Sequence, residues 1–268
     1  MFLKAKNGIV NIDDTEIDYI TFGNGNKILV MIPGVGESLT SFKGFASPLA
    51  LMYRKFAKDY KVYIFSRRRK LPEGFSTKDM AIDAIKTMEH LKIDKADLVG
   101  VSQGGMISQY IAINAPEKVN KLVLIVTVAR NNKILIDSVD KWTEFAKKGD
   151  FQALMLDTAE RSYVGEYLEK YKKLNKLTEP LGKKMIYDRF FVQAESCKNH
   201  NSYDELSKIK CPTLIIGAAK DKVLGIEGSM ELAEKIKNSE LYIYDEYSHG
   251  VYEQAKDFND RVLDYLNK

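Results

Sequence analysis

Three residue types in this chain, a glycine-flanked serine, a late histidine and an aspartate between them, could together perform acyl transfer. The serine is Ser102, in Gly100-Val101-Ser102-Gln103-Gly104, directly after the apolar run ADLVGVS (96–102). A serine hydroxyl is a weak nucleophile at neutral pH and needs a base to take its proton. The chain has three histidines. His90 ends a predicted helix just ahead of the serine strand, which sends it to the wrong edge of a sheet. His200 closes a long stretch between strands. His249, in YDEYSHGVYE, follows the last predicted strand and so reaches the carboxyl edge with Ser102. A histidine base in turn needs a carboxylate to fix its tautomer and stabilise the imidazolium. Asp221 follows the penultimate strand, PTLIIGA (212–218), at the same edge. Asp245 and Glu246 are rivals through nearness in sequence, whereas Asp97 begins a strand and faces the opposite edge.

Glycine inside a strand or a first helical turn costs roughly 0.5–1 kcal/mol relative to alanine. Gly100, Gly104 and Gly105 need a reason, and a strand-to-helix turn too sharp for bulky neighbours supplies one. Such a turn lifts the Ser102 hydroxyl above the sheet and aims the Gln103 N–H, at a helix start, toward the same spot. A second donor is expected in IPGVGES (32–38), where Gly34 and Gly36 leave the Val35 N–H free to face a ligand. Two backbone donors of this kind would form an oxyanion hole.

The elements that must position these groups are short apolar runs separated by turn signals. KILVMIP (27–33), KVYIFS (61–66), 96–102, KLVLIVTV (121–128), 212–218 and LYIYD (241–245) are predicted strands. Most lack period-2 alternation, as expected of strands buried on both faces. Residues 17–23 alternate better and are expected to form a hairpin with 27–33. Helical patterns lie at 76–91, with Ser76 or Thr77 as N-cap, and at 104–115, 227–238 and 251–266. Strand-helix alternation predicts an α/β doubly wound, mostly parallel sheet. Strand starts at 27, 61 and 96 leave room for single crossovers, but the next gap runs from 121 to 212. A structureless loop of that length is improbable in a compact domain. The expectation is a core of 1–129 and 206–268 with a helical insertion at 130–205.

Of the 268 residues, 45% are hydrophobic and 29% charged, ordinary values for a globular protein. The net charge of +4 comes from 41 basic and 37 acidic residues that are scattered, which argues against a nucleic-acid groove. The start, MFLKAKNGIV, lacks a signal-peptide core, and no run approaches the ~18–20 apolar residues of a membrane helix. Cys197 and Cys211 have no metal or framework spacing and are expected to be free thiols in a reducing compartment. A cytoplasmic protein is the expectation. Its expected partners are a small acyl substrate and at most a second copy of itself, with no nucleic acid and no membrane.

The order Ser102, Asp221, His249, with the glycine loop upstream and a helical insertion before the acid, resembles the α/β-hydrolase superfamily across residues 15–268. The resemblance implies a helical lid and disfavours dehalogenase and epoxide hydrolase chemistry, because a serine occupies the elbow. It departs from the family at Pro33, where the loop usually has histidine, and at FSRRRKLPEG, where an Asp and an Arg-Gly pair are common. Arg67, Arg68 and Arg69 are expected in a solvated loop rather than on an anionic substrate group. The expected reaction cleaves a small or medium carboxylic ester, thioester or lactone through an acyl-enzyme on Ser102. It needs no metal and no cofactor. Lid aromatics, Trp142 first, are expected to line the acyl pocket. The alternatives are carbon–carbon bond hydrolysis, cofactor-free perhydrolysis, or a slow-turnover small-molecule receptor.

Overall fold

The computed structural model describes residues 3–39, 44–178 and 187–268. In chain order the strands are β1 (Lys6–Ile12), β2 (Thr15–Phe22), β3 (Lys27–Ile32), β4 (Tyr60–Arg68), β5 (Ala96–Val101), β6 (Val119–Ile125), β7 (Thr213–Ala218) and β8 (Ser239–Tyr244). They form one eight-stranded sheet in the order β1-β2-β4-β3-β5-β6-β7-β8. From β4 to β8 every pairing is parallel, and β1 and β2 add an antiparallel edge.

The helices are α1 (Ala46–Met52), α2 (Thr77–His90), α3 (Gln103–Asn114), α4 (Lys133–Lys148), α5 (Phe151–Ser162), α6 (Gly165–Thr178), α7 (Asp188–Lys198), α8 (Glu227–Lys235), α9 (Val251–Gln254) and α10 (Phe258–Asn267). Successive residues of β3 explain the uninterrupted apolar runs. Leu29 and Met31 enter the cluster under α10, while Val30 and Ile32 enter the one under α2 and α3. With both faces covered, there is no wet face to demand alternation. Ser76 caps α2 and closes a capping box with Asp79. Helices α4 to α7 fill the interval between β6 and β7.

Three local expectations differ. Residues 17–23 do not pair with 27–33: β2 pairs with β1 and β4, while β3 lies between β4 and β5. The unforeseen partner is β1, joined to β2 through Asp13-Asp14, where Ile12 faces Thr15 and Asp13 has φ 50°. Aspartate tolerates that left-handed backbone because its short side chain bonds locally. The helix expected over 251–266 is two, α9 and α10, broken at residues 255–257. The arginine run is not a solvated loop, since β4 extends through Arg67 and Arg68. Among the described residues, no helix is long and apolar enough to cross a membrane.

Candidate active site

Ser102 stands between β5 and α3 at φ 54° and ψ −121°. A non-glycine residue at such angles costs about 1–3 kcal/mol and persists only where its surroundings over-determine it. Here they do. The Ser102 N–H donates to Ile125 O at 2.9 Å, and Thr127 Oγ1 donates to Ser102 O at 2.8 Å. Gly104 packs so tightly on the Ile32 carbonyl that any Cβ would clash with backbone. That approach accounts for the glycine after the serine turn.

The loop after β3 lies against this turn. A Cβ built on Gly34 would be 3.2 Å from Ser102 Cβ and 3.7 Å from Ser102 Oγ. Val35 opens a 3-10 turn (Val35–Leu39), and Gln103 opens α3. The first N–H groups of a helix have no intrahelical acceptor, and Val35 and Gln103 occupy those positions.

Asp221 and His249 meet as a pair. His249 Nδ1 lies 2.8 Å from Asp221 Oδ2, and both residues are buried. The other oxygen, Asp221 Oδ1, accepts from the N–H groups of Val223 at 2.8 Å and Leu224 at 2.9 Å. The carboxylate is thus fixed by its own loop. The rivals lie elsewhere: Asp245 is exposed and Glu246 pairs with Lys220 at 2.6 Å. Ser248, fully buried, donates toward Arg161 O and Lys220 O and accepts from the Lys222 N–H. One hydroxyl therefore joins the Asp221 loop, the His249 loop and the end of α5. Gly250 N donates to Ser162 O at 2.7 Å, and Tyr163 OH donates to Glu253 Oε2 at 2.6 Å. The histidine loop is braced against the α5–α6 junction.

His90 ends α2 in solvent. His200 is buried, with Nδ1 2.9 Å from Thr77 Oγ1 and its ring edge-on to Tyr110. Burial pulls its pKa down to about 3.

Sequence reasoning missed a buried charge cluster under the glycine loop. The Glu37 side chain is 1% exposed. It accepts from Ser66 Oγ, from Arg189 Nη2 at 2.7 Å and from Gln193 Nε2 at 3.1 Å. Burial alone would raise its pKa, but Arg67, Arg189 and the Ser66 hydrogen bond outweigh that and hold it below the usual carboxylate value. Arg67 is 4% exposed, and its Nη2 donates to Pro33 O and to Gln103 Oε1. Burial draws its pKa down to about 10 against the pull of Glu37. The two partners shift differently because Glu37 faces two cations while Arg67 shares one carboxylate with Arg189. Where the family usually has histidine, Arg67 holds the Pro33 carbonyl. Arg68 pairs with Asp83 through two bonds of 2.7 Å, and Arg69 pairs with Asp18 and Glu16. Arg68 and Arg69 are thus engaged by carboxylates of the chain, whereas the Arg67 guanidinium reaches Pro33 O and Gln103 Oε1 and only its backbone N–H reaches Glu37. The available signal was a lone acid in a glycine loop, set one strand ahead of an arginine run.

Trp142 lies in an apolar cluster with Leu135, Leu154 and Phe190, and its Nε1 donates to Asp157 at 2.9 Å. That cluster also contains Met106 of the serine helix and Val223 and Leu224 of the Asp221 loop. Cys197 is a buried free thiol, and burial pushes its pKa up to about 12. Cys211 is also free.

The chain is similar to known enzymes along almost its whole length. It is 23% identical over 259 residues to 3-oxoadipate enol-lactonase 2 of Acinetobacter baylyi, covering 93% of this chain and 92% of that one. It is 26% identical over 254 residues to 2-hydroxy-6-oxo-2,4-heptadienoate hydrolase of Pseudomonas putida, covering 91% and 90%. Among solved structures it resembles MGS-M2, an alpha/beta hydrolase enzyme from a Medee basin deep-sea metagenome library. That likeness has a TM-score of 0.85 at 24% identity and covers 97% of this chain and 98% of the other. The sequence model of the alpha/beta hydrolase fold matches residues 27–256, and the chain belongs to that family.

Proposed function

We propose that the protein is a serine hydrolase cleaving a small or medium carboxylic ester, thioester or lactone. The observation that carries this reading is the Asp221–His249 pair, at 2.8 Å, on the sheet edge that also presents Ser102 in a strained turn. The Ser102 Oγ attacks the substrate carbonyl carbon while its proton passes to His249 Nε2. The carbonyl π electrons move onto oxygen, and the N–H groups of Val35 and Gln103 receive that oxyanion. The intermediate collapses, the bond to the leaving group breaks, and His249 returns the proton to the departing oxygen or sulfur. Water then repeats the sequence on the acyl-enzyme, releasing the acid and restoring Ser102. Asp221 holds the Nδ1–H tautomer of His249, which leaves Nε2 as the base. Helices α4 to α7 form the lid.

The enol-lactonase relative supports the lactone branch of this reading. The heptadienoate hydrolase relative favours a second one, in which the same three residues hydrolyse a carbon–carbon bond. A fluorophosphonate separates a reactive serine from an inert one. It is expected to label the wild type at Ser102 and to leave Ser102→Ala unlabelled, with turnover of p-nitrophenyl esters lost in that variant. Labelling elsewhere, or ester turnover surviving in Ser102→Ala, refutes the reading.

A further inference from the structure

A cavity of about 340 Å³ lies beside the proposed nucleophile, on the α1 and α10 side of the sheet. On the sheet side it is lined by Ile64, Val99, Val101 and Ile125 of the central strands. Leu49 of α1 and Val262 of α10 form the facing wall. The roof is the glycine loop, through Gly34 and Gly36.

Three observations give this space a use. The first is position. Val101 precedes Ser102, and Gly34 sits within van der Waals reach of the Ser102 side chain. The cavity is therefore the apolar volume next to any carbonyl held at the serine. The second is chemistry. Among the described residues that line it, the charged ones are two carboxylates, Glu37 and Glu253, and none is lysine or arginine. Glu37 is already paired with Arg189 and Glu253 accepts from Tyr163, so the described walls offer an anionic tail no free counter-ion, whereas an alkyl chain meets aliphatic side chains. The third is size. Small-molecule pockets span about 300–1,000 Å³, and this one is at the small end. Among the described residues, none of α4 to α7 lines it.

We propose that this cavity is the acyl site, and that the acyl group it takes is an uncharged alkyl chain of short to medium length. The proposal rests on the serine hydrolase reading above and moves acyl selection from the lid to the α1–α10 face.

The test measures kcat/KM for p-nitrophenyl acetate, butyrate, hexanoate and dodecanoate. Each methylene that moves from water into the cavity is expected to raise kcat/KM about fourfold, until the cavity is full. Val262→Phe places a ring in the cavity. It is expected to lower the hexanoate-to-acetate ratio by about tenfold or more. Leu49→Trp, from the α1 wall, should do the same and guards against one variant failing to fold. Phe191→Ala, in the lid, should leave the ratio in place. An unchanged ratio in both cavity variants, or a fall produced by Phe191→Ala instead, overturns the acyl site while the hydrolase stands. A hexyl fluorophosphonate provides the second readout. If it labels Ser102, its chain should lie in the cavity, and a chain lying under the lid overturns the proposal. If it fails to label Ser102, the hydrolase reading and the acyl site fall together.

Discussion

Replacing Glu37 by glutamine tests whether the buried charge cluster holds the proposed oxyanion loop in place. The substitution keeps the shape and removes one negative charge from between two arginines. Arg67 is 4% exposed and cannot move to water, while the Arg189 side chain is 24% exposed and can partly rehydrate. Breaking a buried pair by removing one partner costs about 3–5 kcal/mol, because an uncompensated charge remains. The partial exposure of Arg189 places Glu37→Gln at the lower end, about 3 kcal/mol. At about 2–4 °C per kcal/mol for a large domain, melting should fall by roughly 6–12 °C.

Urea unfolding at neutral pH, followed by circular dichroism, measures the loss directly. The double variant Glu37→Gln, Arg67→Met removes the stranded charge as well and should recover much of the stability, since residues in one network couple by about 0.5–3 kcal/mol. Turnover reports a different quantity. Arg67 holds the Pro33 carbonyl, two residues before Val35, and the side chain of Gln103. Loosening both donors should lower kcat more than it raises KM. The loss is bounded by the about 10²–10³ that deleting one oxyanion donor costs. The double variant should remain slow even as its stability returns. A loss of stability below about 1 kcal/mol, or a double variant no more stable than Glu37→Gln, refutes the argument that the charge is stranded.

Asp221→Asn should keep the fold and lower kcat by about 10⁴, because asparagine holds the wrong histidine tautomer; a near-normal rate would assign the acid elsewhere. His200 has its pKa drawn down to about 3, while the unfolded chain protonates it near 6.5. The unfolded state therefore binds the extra proton between those values, so the stability contribution is complete above about pH 6.5 and falls on acidification by about 1.4 kcal/mol per pH unit. His200→Gln should flatten that slope in urea titrations at pH 7 and pH 5, and an unchanged slope sinks the assignment. Trp142→Phe keeps one aromatic ring, empties the rest of the buried indole volume and loses the bond to Asp157, a hydrogen bond to a charged group worth about 1.5–3 kcal/mol. Stability should fall by at least that amount with the acyl-length profile unchanged, and a shifted profile would return Trp142 to the substrate.

The residues proposed to do the chemistry were more legible than the cavity beside them, and the reason is local. Ser102 announces itself because a sharp turn needs glycines within two residues of it, and a five-residue pattern records that need. Asp221 and His249 are legible by topology, since in a parallel sheet every strand ends at the same edge and the residue just past a strand end has little freedom of place. The proposed acyl cavity has no such signature. Its strand residues are aliphatic because both sheet faces are buried, and that holds equally for Leu122, which is buried but does not line this cavity. What makes the space is the distance between α1, α10 and the sheet, which no periodicity encodes; α1 itself was unforeseen, and α10 was merged with α9. The arginine run shows the same limit from the charged side. Three adjacent arginines read as solvent-facing because burial of a cation is costly, and the exception requires a carboxylate brought from elsewhere in the chain. Glu37 is about thirty residues upstream of Arg67, and Arg189 more than a hundred downstream. Only a fold that lays the glycine loop over β4 and α7 over both can bring them together. A motif records what one backbone segment must do, whereas a pocket or a buried ion cluster records what distant segments do to one another.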